Sequence, residues 1–354
     1  MTKVYVGMSG GVDSSLTAAL LVEQGYDVTG VYMKNWTQDL PGMRCPWADD
    51  LADAKRVAVQ LGIDFKVFDF ENEYRQKVVD YMIEEYKQGR TPNPDIMCNQ
   101  EVKFKLFLEA ALEDGADLIA TGHYARVWRE GDATHVAKLL QAADTNKDQT
   151  YFLYRVTEQA LEKTLFPLGE FTKPEVRKMA EARGLITATK KDSQGICFVG
   201  QIGIREFLSQ YVTPTAGKII DIQTQKILGQ HDGAIFYTIG QRHGLDIGGG
   251  LPYYVVGKDM DKNEVYVTTN LNDDALWKPR LSLVVPHWVS GDAPHEGQYM
   301  ARVRHRAPLT PVQLYYADNG DITLEFESPE RAVAPGQSVV LYDQTVCIGG
   351  GIVA

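Results

Sequence analysis

Short apolar runs alternate with amphipathic segments along the first part of the chain. Apolar runs at residues 4–7, 28–33, 65–68 and 118–121 predict β-strands, and helical spacing predicts helices at 16–22, 49–61, 71–87 and 103–113. Strands that alternate with helices favour a doubly wound parallel sheet. Ligands of such sheets bind beyond the carboxyl ends of the strands, so the loops that follow them are candidate functional segments.

The pattern changes near residue 218. Helical spacing ends, and short alternating runs at 218–221, 253–256, 265–268, 312–316, 322–326 and 339–342 predict strands separated by turn residues. We therefore expect three domains in the 354 residues: an α/β domain over 1–203, a small central β-rich domain over 204–278 and a C-terminal β-barrel over 279–354.

The composition indicates the cellular compartment and the kinds of partner to expect. The chain has no apolar run long enough to cross a membrane, and a strand begins too early for a signal peptide, so we expect a cytoplasmic protein with no membrane partner. Its four cysteines form no C-x-x-C pair, which argues against a structural zinc site and a disulfide scaffold. The net charge of −11 counts mildly against a nucleic-acid partner, but local basic patches decide phosphate contact.

A glycine turn, SGGVDSS at residues 9–15, stands between the first strand and the first helix. Backbone N–H groups at a helix N-terminus bind anions, and two glycines allow close approach of a phosphate. The turn has neither the Lys of a P-loop nor G-x-G-x-x-G spacing, and it resembles the S-G-G-x-D-S loop of the ATP pyrophosphatases. That resemblance implies ATP, with Mg²⁺ on the triphosphate near Asp13. The alternative is a plain strand-to-helix turn with Ser14 as the N-cap.

Two cysteines lie in loop-like segments. Cys98 ends the segment TPNPDIMC, where a helix predicted to start just after it would lower the thiol pKa through its dipole. Cys197 follows Lys190 and Lys191 in a segment predicted to be an electropositive loop, which favours a thiolate. For both, the alternative is a packed, unreactive thiol. Because both segments are rich in turn residues, we expect them to be disordered or displaced without a bound RNA. Cys45 and Cys347 are predicted to be packed thiols.

Seven segments together resemble the MnmA/TrmU family of tRNA-specific 2-thiouridylases. They are SGGVDSS (9–15), TPNPDIMCN (91–99), TGHYARV (121–127), KDQTYFLY (147–154), KDSQGICF (191–198), IGQRHGL (239–245) and PGQ (335–337). The resemblance implies replacement of the carbon-2 oxygen of the wobble uridine by sulfur. ATP would adenylate that oxygen, sulfur would come from a cysteine persulfide, and AMP and pyrophosphate would be released.

The resemblance also implies roles for individual residues. Cys197 would carry the persulfide, Cys98 would be the catalytic nucleophile, and a disulfide between them would be the spent state. Asp95 would be an acid/base group near the uracil; a turn-stabilising role is the alternative. The target base would meet Asn93, Pro94 and Asp95. The expected ATP-binding residues are Gly7, Met8, Ser9, Gly10, Gly11, Val12, Asp13, Ser14, Met33 and Gly122.

RNA contacts are expected from both halves of the chain. Arg302, Arg304 and Arg306 alternate, so a strand there would direct all three to one face, either for RNA or as a solvated surface. The resemblance implies tRNA contacts at His123, Lys147, Asp148, Gln149, His305, Arg306 and Gln337. A loop-packing role is the alternative for His123. The implied partners are the anticodon stem-loops of lysine, glutamate and glutamine tRNAs, and a persulfide relay protein or cysteine desulfurase.

Two other functions compete with this interpretation. One is another adenylating enzyme on the same fold, such as an amidotransferase-type synthetase or a relative of argininosuccinate synthase, which would need neither paired cysteines nor tRNA. The other is a nucleotide sensor or RNA-binding module without turnover, which would release no pyrophosphate.

Overall fold

A computed structural model describes residues 1–39, 45–129, 136–191, 203–248, 250–318 and 320–354. Cys197, the proposed persulfide carrier, lies outside the described residues. The elements up to residue 191 are β1 (Lys3–Gly7), α1 (Val12–Glu23), β2 (Asp27–Lys34), α2 (Trp47–Leu61), β3 (Asp64–Asp69), α3 (Glu71–Tyr74), α4 (Tyr81–Lys87), α5 (Pro94–Met97), α6 (Phe107–Glu113), β4 (Leu118–Ala120), β5 (Ala125–Arg129), β6 (Ala137–Gln141), α7 (Thr150–Leu153), α8 (Glu158–Glu162), β7 (Thr164–Leu165) and α9 (Lys173–Ala182). π-Helical segments, Arg75–Asp80 and Cys98–Leu106, join α3 to α4 and α5 to α6.

The predicted parallel sheet is confirmed. Its strand order among the described residues is β3-β2-β1-β4-β7, and the pairings between them are all parallel. Both faces of β1 are covered: Val4 and Val6 pack with Val57 of α2, and Tyr5 packs with Phe107 on the other face. The chain runs outward through β2 and β3 and then returns to β4 on the other side of β1. The strand order therefore reverses at β1, where ligands of such sheets bind.

The second sheet is small and mixed. It follows α10 (Ile204–Leu208) and contains β8 (Gly217–Asp221), β9 (Ile227–His231), β10 (Tyr254–Asp259) and β11 (Glu264–Thr268). The order in the described part of the chain is β10-β11-β8-β9, with β11 and β8 parallel. Met260, just past β10, packs over Gly89 at the end of α4, which joins this sheet to the first domain.

The third sheet closes into a barrel. Its strands are β12 (Trp277–Trp288), β13 (Gly297–Arg302), β14 (Thr310–Tyr316), β15 (Ile322–Arg331), β16 (Ser338–Asp343) and β17 (Val346–Val353). They follow the order β12-β15-β14-β13-β16-β17, and β17 pairs back to β12. The expected C-terminal β-barrel is confirmed, while the domain limits at 203/204 and 278/279 stay a prediction.

The hairpin β5–β6 joins the barrel and not the parallel sheet. Cys347 of β17 pairs with Leu139 of β6, so residues from the first half of the chain extend a C-terminal sheet. The helix α7 lies against the same wall, because the Tyr151 hydroxyl donates to the Ser338 carbonyl at 2.9 Å and the Thr150 and Tyr342 hydroxyls lie 3.1 Å apart. The KDQTYFLY segment is therefore the join between the first domain and the barrel.

Every helix in the described part of the chain is too short or too polar to cross a membrane.

Candidate nucleotide and tRNA site

The glycine turn at residues 9–15 has the shape that its sequence predicts. Gly10 has φ +74°, and a Cβ there would lie 2.3 Å from the Asp50 carbonyl oxygen, so only glycine fits. The N-cap of α1 is Gly11, which makes no side-chain cap, so the alternative of Ser14 as N-cap is wrong. The Ser14 hydroxyl instead accepts from the Ser9 N–H at 3.1 Å and donates to the Gly11 carbonyl at 3.2 Å, which ties the turn together.

The expected ATP-binding residues converge at one edge of the parallel sheet. Gly7 ends β1, and a Cβ there would lie 2.9 Å from the Met33 methyl group near the end of β2. Gly122 follows β4, and a Cβ there would lie 2.9 Å from the Ser14 nitrogen. The ends of β1, β2 and β4 therefore approach one another around the turn, at the point where the strand order reverses.

Lys173 belongs to this edge, although the sequence did not indicate it. It is the first residue of α9, its side chain is only 10% exposed, and its Nζ lies 2.7 and 2.8 Å from the two carboxylate oxygens of Asp13. The Tyr124 hydroxyl donates to the same carboxylate at 2.9 Å. The contact joins residues 160 positions apart, so helical or strand spacing could not reveal it.

These contacts bear on the expected magnesium ion. No group of three or more His, Cys, Asp or Glu side chains suited to a metal occurs in the part of the chain that the structure describes. The Asp13 carboxylate is paired with Lys173, so the protein offers one carboxylate and no cage. That donor set fits Mg²⁺ carried on a triphosphate, which the ion binds with few protein ligands.

Lys190 differs from its prediction. Its Nζ lies 2.8 Å from Asp50 and 2.7 Å from Asp53, both near the start of α2. The hydrogen bond from Lys190 holds the pKa of Asp53 below its ordinary value. The prediction that Lys190 adds positive charge to the Cys197 segment is wrong, because its charge is neutralised. The pair instead fixes the start of that segment next to α2, whose Asp50 backbone packs on Gly10.

Cys98 lies inside a helix and not before one. Asn93 is the N-cap of α5, its Oδ1 accepting from the N–H groups of Asp95 at 3.1 Å and Ile96 at 3.3 Å. Because the helix begins at Pro94, the prediction that it starts after Cys98, with the dipole acting on that thiol, is wrong. Cys98 is 1% exposed, and the expectation that its segment is disordered or displaced without tRNA stays a prediction. The sulfur is buried one turn beyond Asp95, which is half-buried.

The barrel holds the start of this segment. The Thr91 N–H donates to the Pro335 carbonyl at 2.7 Å. Gly336 has φ +88°, and a Cβ there would lie 2.7 Å from the Thr91 nitrogen, so the turn must carry glycine. Gln337, an expected tRNA contact, accepts from the Ala334 N–H at 2.9 Å through its side-chain oxygen. The PGQ turn therefore supports the segment that carries Asn93, Asp95 and Cys98.

The arginine row is not a strand face. β13 ends at Arg302, and Arg306 lies in a turn with φ +64°, so the prediction of three arginines on one face is wrong. Arg302 is buried, and Arg304 donates to the Arg331 carbonyl at 2.7 Å. A cleft of about 490 Å³ nevertheless brings together Lys147 and Arg306, which are both expected tRNA contacts.

Asp148 and Gln149 have structural partners. Asp148 is 1% exposed, and its carboxylate lies 2.9 Å from Nη1 of Arg302. Any effect of Asp148 on tRNA would be indirect, through Arg302. The Gln149 side-chain oxygen accepts from the Tyr124 N–H at 2.9 Å.

Two histidines pack on aromatic rings. His123 is 9% exposed, with its ring 5.6 Å from that of Phe104 and its Nδ1 2.8 Å from the Thr121 hydroxyl. Burial holds the His123 pKa well below 6.5, so the ring is neutral. This geometry fits the loop-packing alternative; stacking on a base stays a prediction. The His305 ring lies 4.5 Å from that of Phe152, and burial is the main cause that lowers its pKa to about 4.

The other cysteines are packed thiols. Burial raises the pKa of both Cys45, which is 9% exposed, and Cys347, which is 1% exposed. The described geometry agrees with the prediction for this pair.

The fold and the glycine turn define a nucleotide-binding α/β domain followed by two β domains. Three family models match in succession: a tRNA methyl transferase HUP domain at residues 2–201, a tRNA methyl transferase PRC-barrel domain at 205–269 and an aminomethyltransferase beta-barrel domain at 280–353. The tRNA-specific 2-thiouridylase MnmA of Lacticaseibacillus paracasei is 49% identical, over 99% of this chain and 94% of its own. That of Staphylococcus saprophyticus is 49% identical, over 99% and 95%. The chain belongs to the tRNA-specific 2-thiouridylase family.

Solved structures are more distant. A 4-thiouridine synthetase in complex with RNA and bound ATP is 18% identical, with a TM-score of 0.39, over 60% of this chain and 50% of its own. That similarity is too low to inform on the site.

Proposed function

We propose that this protein is an ATP-dependent tRNA-uridine 2-sulfurtransferase. The observation that carries the proposal is identity of 49% over 99% of the chain to relatives named tRNA-specific 2-thiouridylase. The glycine turn at one edge of the sheet and the thiol of Cys98 supply the two kinds of group that such a reaction needs.

The first step would activate the base. A carbonyl oxygen is a poor leaving group, so it must be made into a better one before sulfur can replace it. The carbon-2 oxygen of uracil would attack the α-phosphorus of ATP and release pyrophosphate, while the ring N–H proton passes to a base such as Asp95, leaving AMP on the oxygen. The N–H groups of the glycine turn would bind the phosphates. The Lys173 ammonium, which pairs with Asp13 in the structure, would stabilise the negative charge of the departing pyrophosphate. Magnesium, when present on the triphosphate, would supply further charge neutralisation.

The second step would deliver sulfur. A persulfide on Cys197 holds a sulfur atom that a thiolate can release. Attack by Cys98 on the inner sulfur would form a Cys98–Cys197 disulfide and free hydrosulfide, which would add at carbon 2 and expel AMP. An external thiol would then reduce the disulfide. Cys98 is buried, so this step requires its sulfur to become accessible.

RNA would approach across the join between the first domain and the barrel. Lys147 and Arg306 line one cleft at that join, and Asn93 and Asp95 start the helix that carries Cys98. The target nucleotide would have to leave its stack to reach Asp95, as base-modifying enzymes require.

The chain offers matched cysteines for the test. Cys98→Ala and Cys197→Ala are each incubated with ATP, a persulfide donor and tRNA, and nucleosides are identified by mass spectrometry. We expect no 2-thiouridine from either variant, and near wild-type amounts from Cys45→Ala and Cys347→Ala. Thiolated uridine from both Cys98→Ala and Cys197→Ala would overturn the proposal.

A further inference from the structure

Asn99 has a buried side-chain amide whose oxygen has no hydrogen-bond partner among the described residues. The residue is 3% exposed and directly follows Cys98. Its Nδ2 donates to the Phe152 carbonyl at 3.0 Å, while its Oδ1 has no hydrogen-bond partner in the part of the chain that the structure describes. A buried acceptor without a donor is costly, so such an atom needs an explanation.

The orientation of this amide is fixed by chemistry. A carbonyl oxygen can only accept, so the arm of Asn99 that faces the Phe152 carbonyl must be the NH₂ group. Exchanging the two arms would place two acceptors together. The free arm is therefore an oxygen, and it faces away from Phe152.

Asn99 shares a helix face with Asp95. The two residues are four positions apart in the continuous helix that begins at Pro94, so their side chains lie one above the other. Cys98 is three positions from Asp95 and flanks the same face. Gln100 also has an unpartnered oxygen, but the residue is only half-buried and its side chain lies about a quarter turn away from this face.

We propose that Asn99 is a base-recognition residue whose Oδ1 accepts a hydrogen bond from the ring N–H of uracil. The inference rests on the proposed function, since it concerns the base that would enter beside Asp95. Uracil carries one N–H donor between its two carbonyl groups, whereas cytosine has an acceptor at that position. A fixed acceptor at Asn99 therefore selects uracil and opposes cytosine. Phe152, whose carbonyl accepts from Asn99, also packs its ring on that of His305, so the Asn99 amide is connected to the barrel through Phe152.

The test pairs a protein change with a base change. Wild type and Asn99→Ala are assayed with tRNA carrying uridine or 3-methyluridine at the target position, where the methyl group removes the N–H donor. The Kd for each tRNA without ATP is the readout that compares the two bases, because the methyl group also removes the proton that activation must release. The kcat/KM for thiolation is measured on the uridine tRNA. Asn99→Ser is a second variant in case Asn99→Ala fails to fold, and circular dichroism checks both.

We expect wild type to bind the methylated tRNA roughly 10- to 100-fold more weakly than the uridine tRNA. Asn99→Ala should lose a similar factor in affinity on uridine but little more on 3-methyluridine, so the two losses do not multiply. Gln100→Ala should keep the wild-type discrimination. Losses that multiply in both Asn99 variants would overturn the proposal and leave Asn99 a structural residue. If no tRNA is thiolated but Kd still discriminates through Asn99, the proposed function fails and the recognition residue stands.

Discussion

The buried pair Arg302–Asp148 joins the barrel to the first domain and makes a strong stability prediction. The two side chains are 8% and 0% exposed. The Asp148 carboxylate also accepts from the Ala142 N–H at 3.0 Å and the Thr150 hydroxyl at 2.8 Å. Asp148→Asn removes the charge while keeping the volume, so the Arg302 cation stays buried without a counter-charge.

The structure sets the expected size of this effect. Breaking one partner of a buried pair costs about 3–5 kcal/mol, because the remaining charge is desolvated and uncompensated. Arg302→Met should cost a comparable amount, and the double variant should cost clearly less than the sum. A matched control lies in the same barrel, where Arg280 and Glu325 form an exposed pair at 2.8 Å. Glu325→Gln should change stability by at most about 1 kcal/mol.

The assay is urea denaturation followed by tryptophan fluorescence, which gives the free energy of unfolding of each variant. A loss below about 1 kcal/mol in Asp148→Asn, similar to that in Glu325→Gln, would refute the reasoning. So would strict additivity in the double variant, since residues in one buried network must show coupling.

The remaining predictions concern the nucleotide turn, the RNA cleft and pH. Gly10→Ala should abolish pyrophosphate formation because its Cβ would meet the Asp50 carbonyl oxygen at 2.3 Å; Gly25→Ala, at φ +83° with no atom within 4 Å, should retain it. Lys173→Met should slow pyrophosphate formation on the order of 100-fold with Kd for tRNA unchanged, and an unchanged rate would remove Lys173 from the phosphate site. Arg306→Ala should weaken tRNA binding and lower the slope of log Kd against log salt by about 1, as expected for one lost phosphate contact. His305 has a pKa of about 4 in the folded protein, below the ordinary 6.5, so its neutral ring adds stability above pH 6.5 that is lost as the pH falls toward 4. The free energy of unfolding of His305→Gln should therefore depend less on pH between 6.5 and 4. An equally steep pH profile in this variant would contradict the burial of the ring.

Local patterns predicted the parts of the molecule whose causes are local. The strand β1, the glycine turn and α1 follow from an apolar run, two glycines and helical spacing, and the structure contains all three. The start of α5 was locally encoded too: Asn93 is a favoured N-cap and Pro94 a favoured first residue. Interpreting the two prolines as a loop led to the wrong helix start.

The missed features depend on contacts between distant residues. Nothing near Lys173 in sequence specifies Asp13 as its partner, and nothing in β6 specifies pairing with β17. The prediction that the three arginines share one face was wrong because alternate residues share a face only within a strand, and β13 ends at Arg302. The prediction for Lys190 was wrong because it did not include the acidic residues at the start of α2, which pair with the lysine.

Transfer of radiolabelled sulfur from a persulfide donor to tRNA is the decisive measurement of ATP-dependent sulfur transfer by this protein. We predict that wild type labels the tRNA only when ATP is present, that pyrophosphate forms with it, and that Cys197→Ala leaves the tRNA unlabelled. Label transferred without ATP, or transferred equally well by Cys197→Ala, would contradict the account.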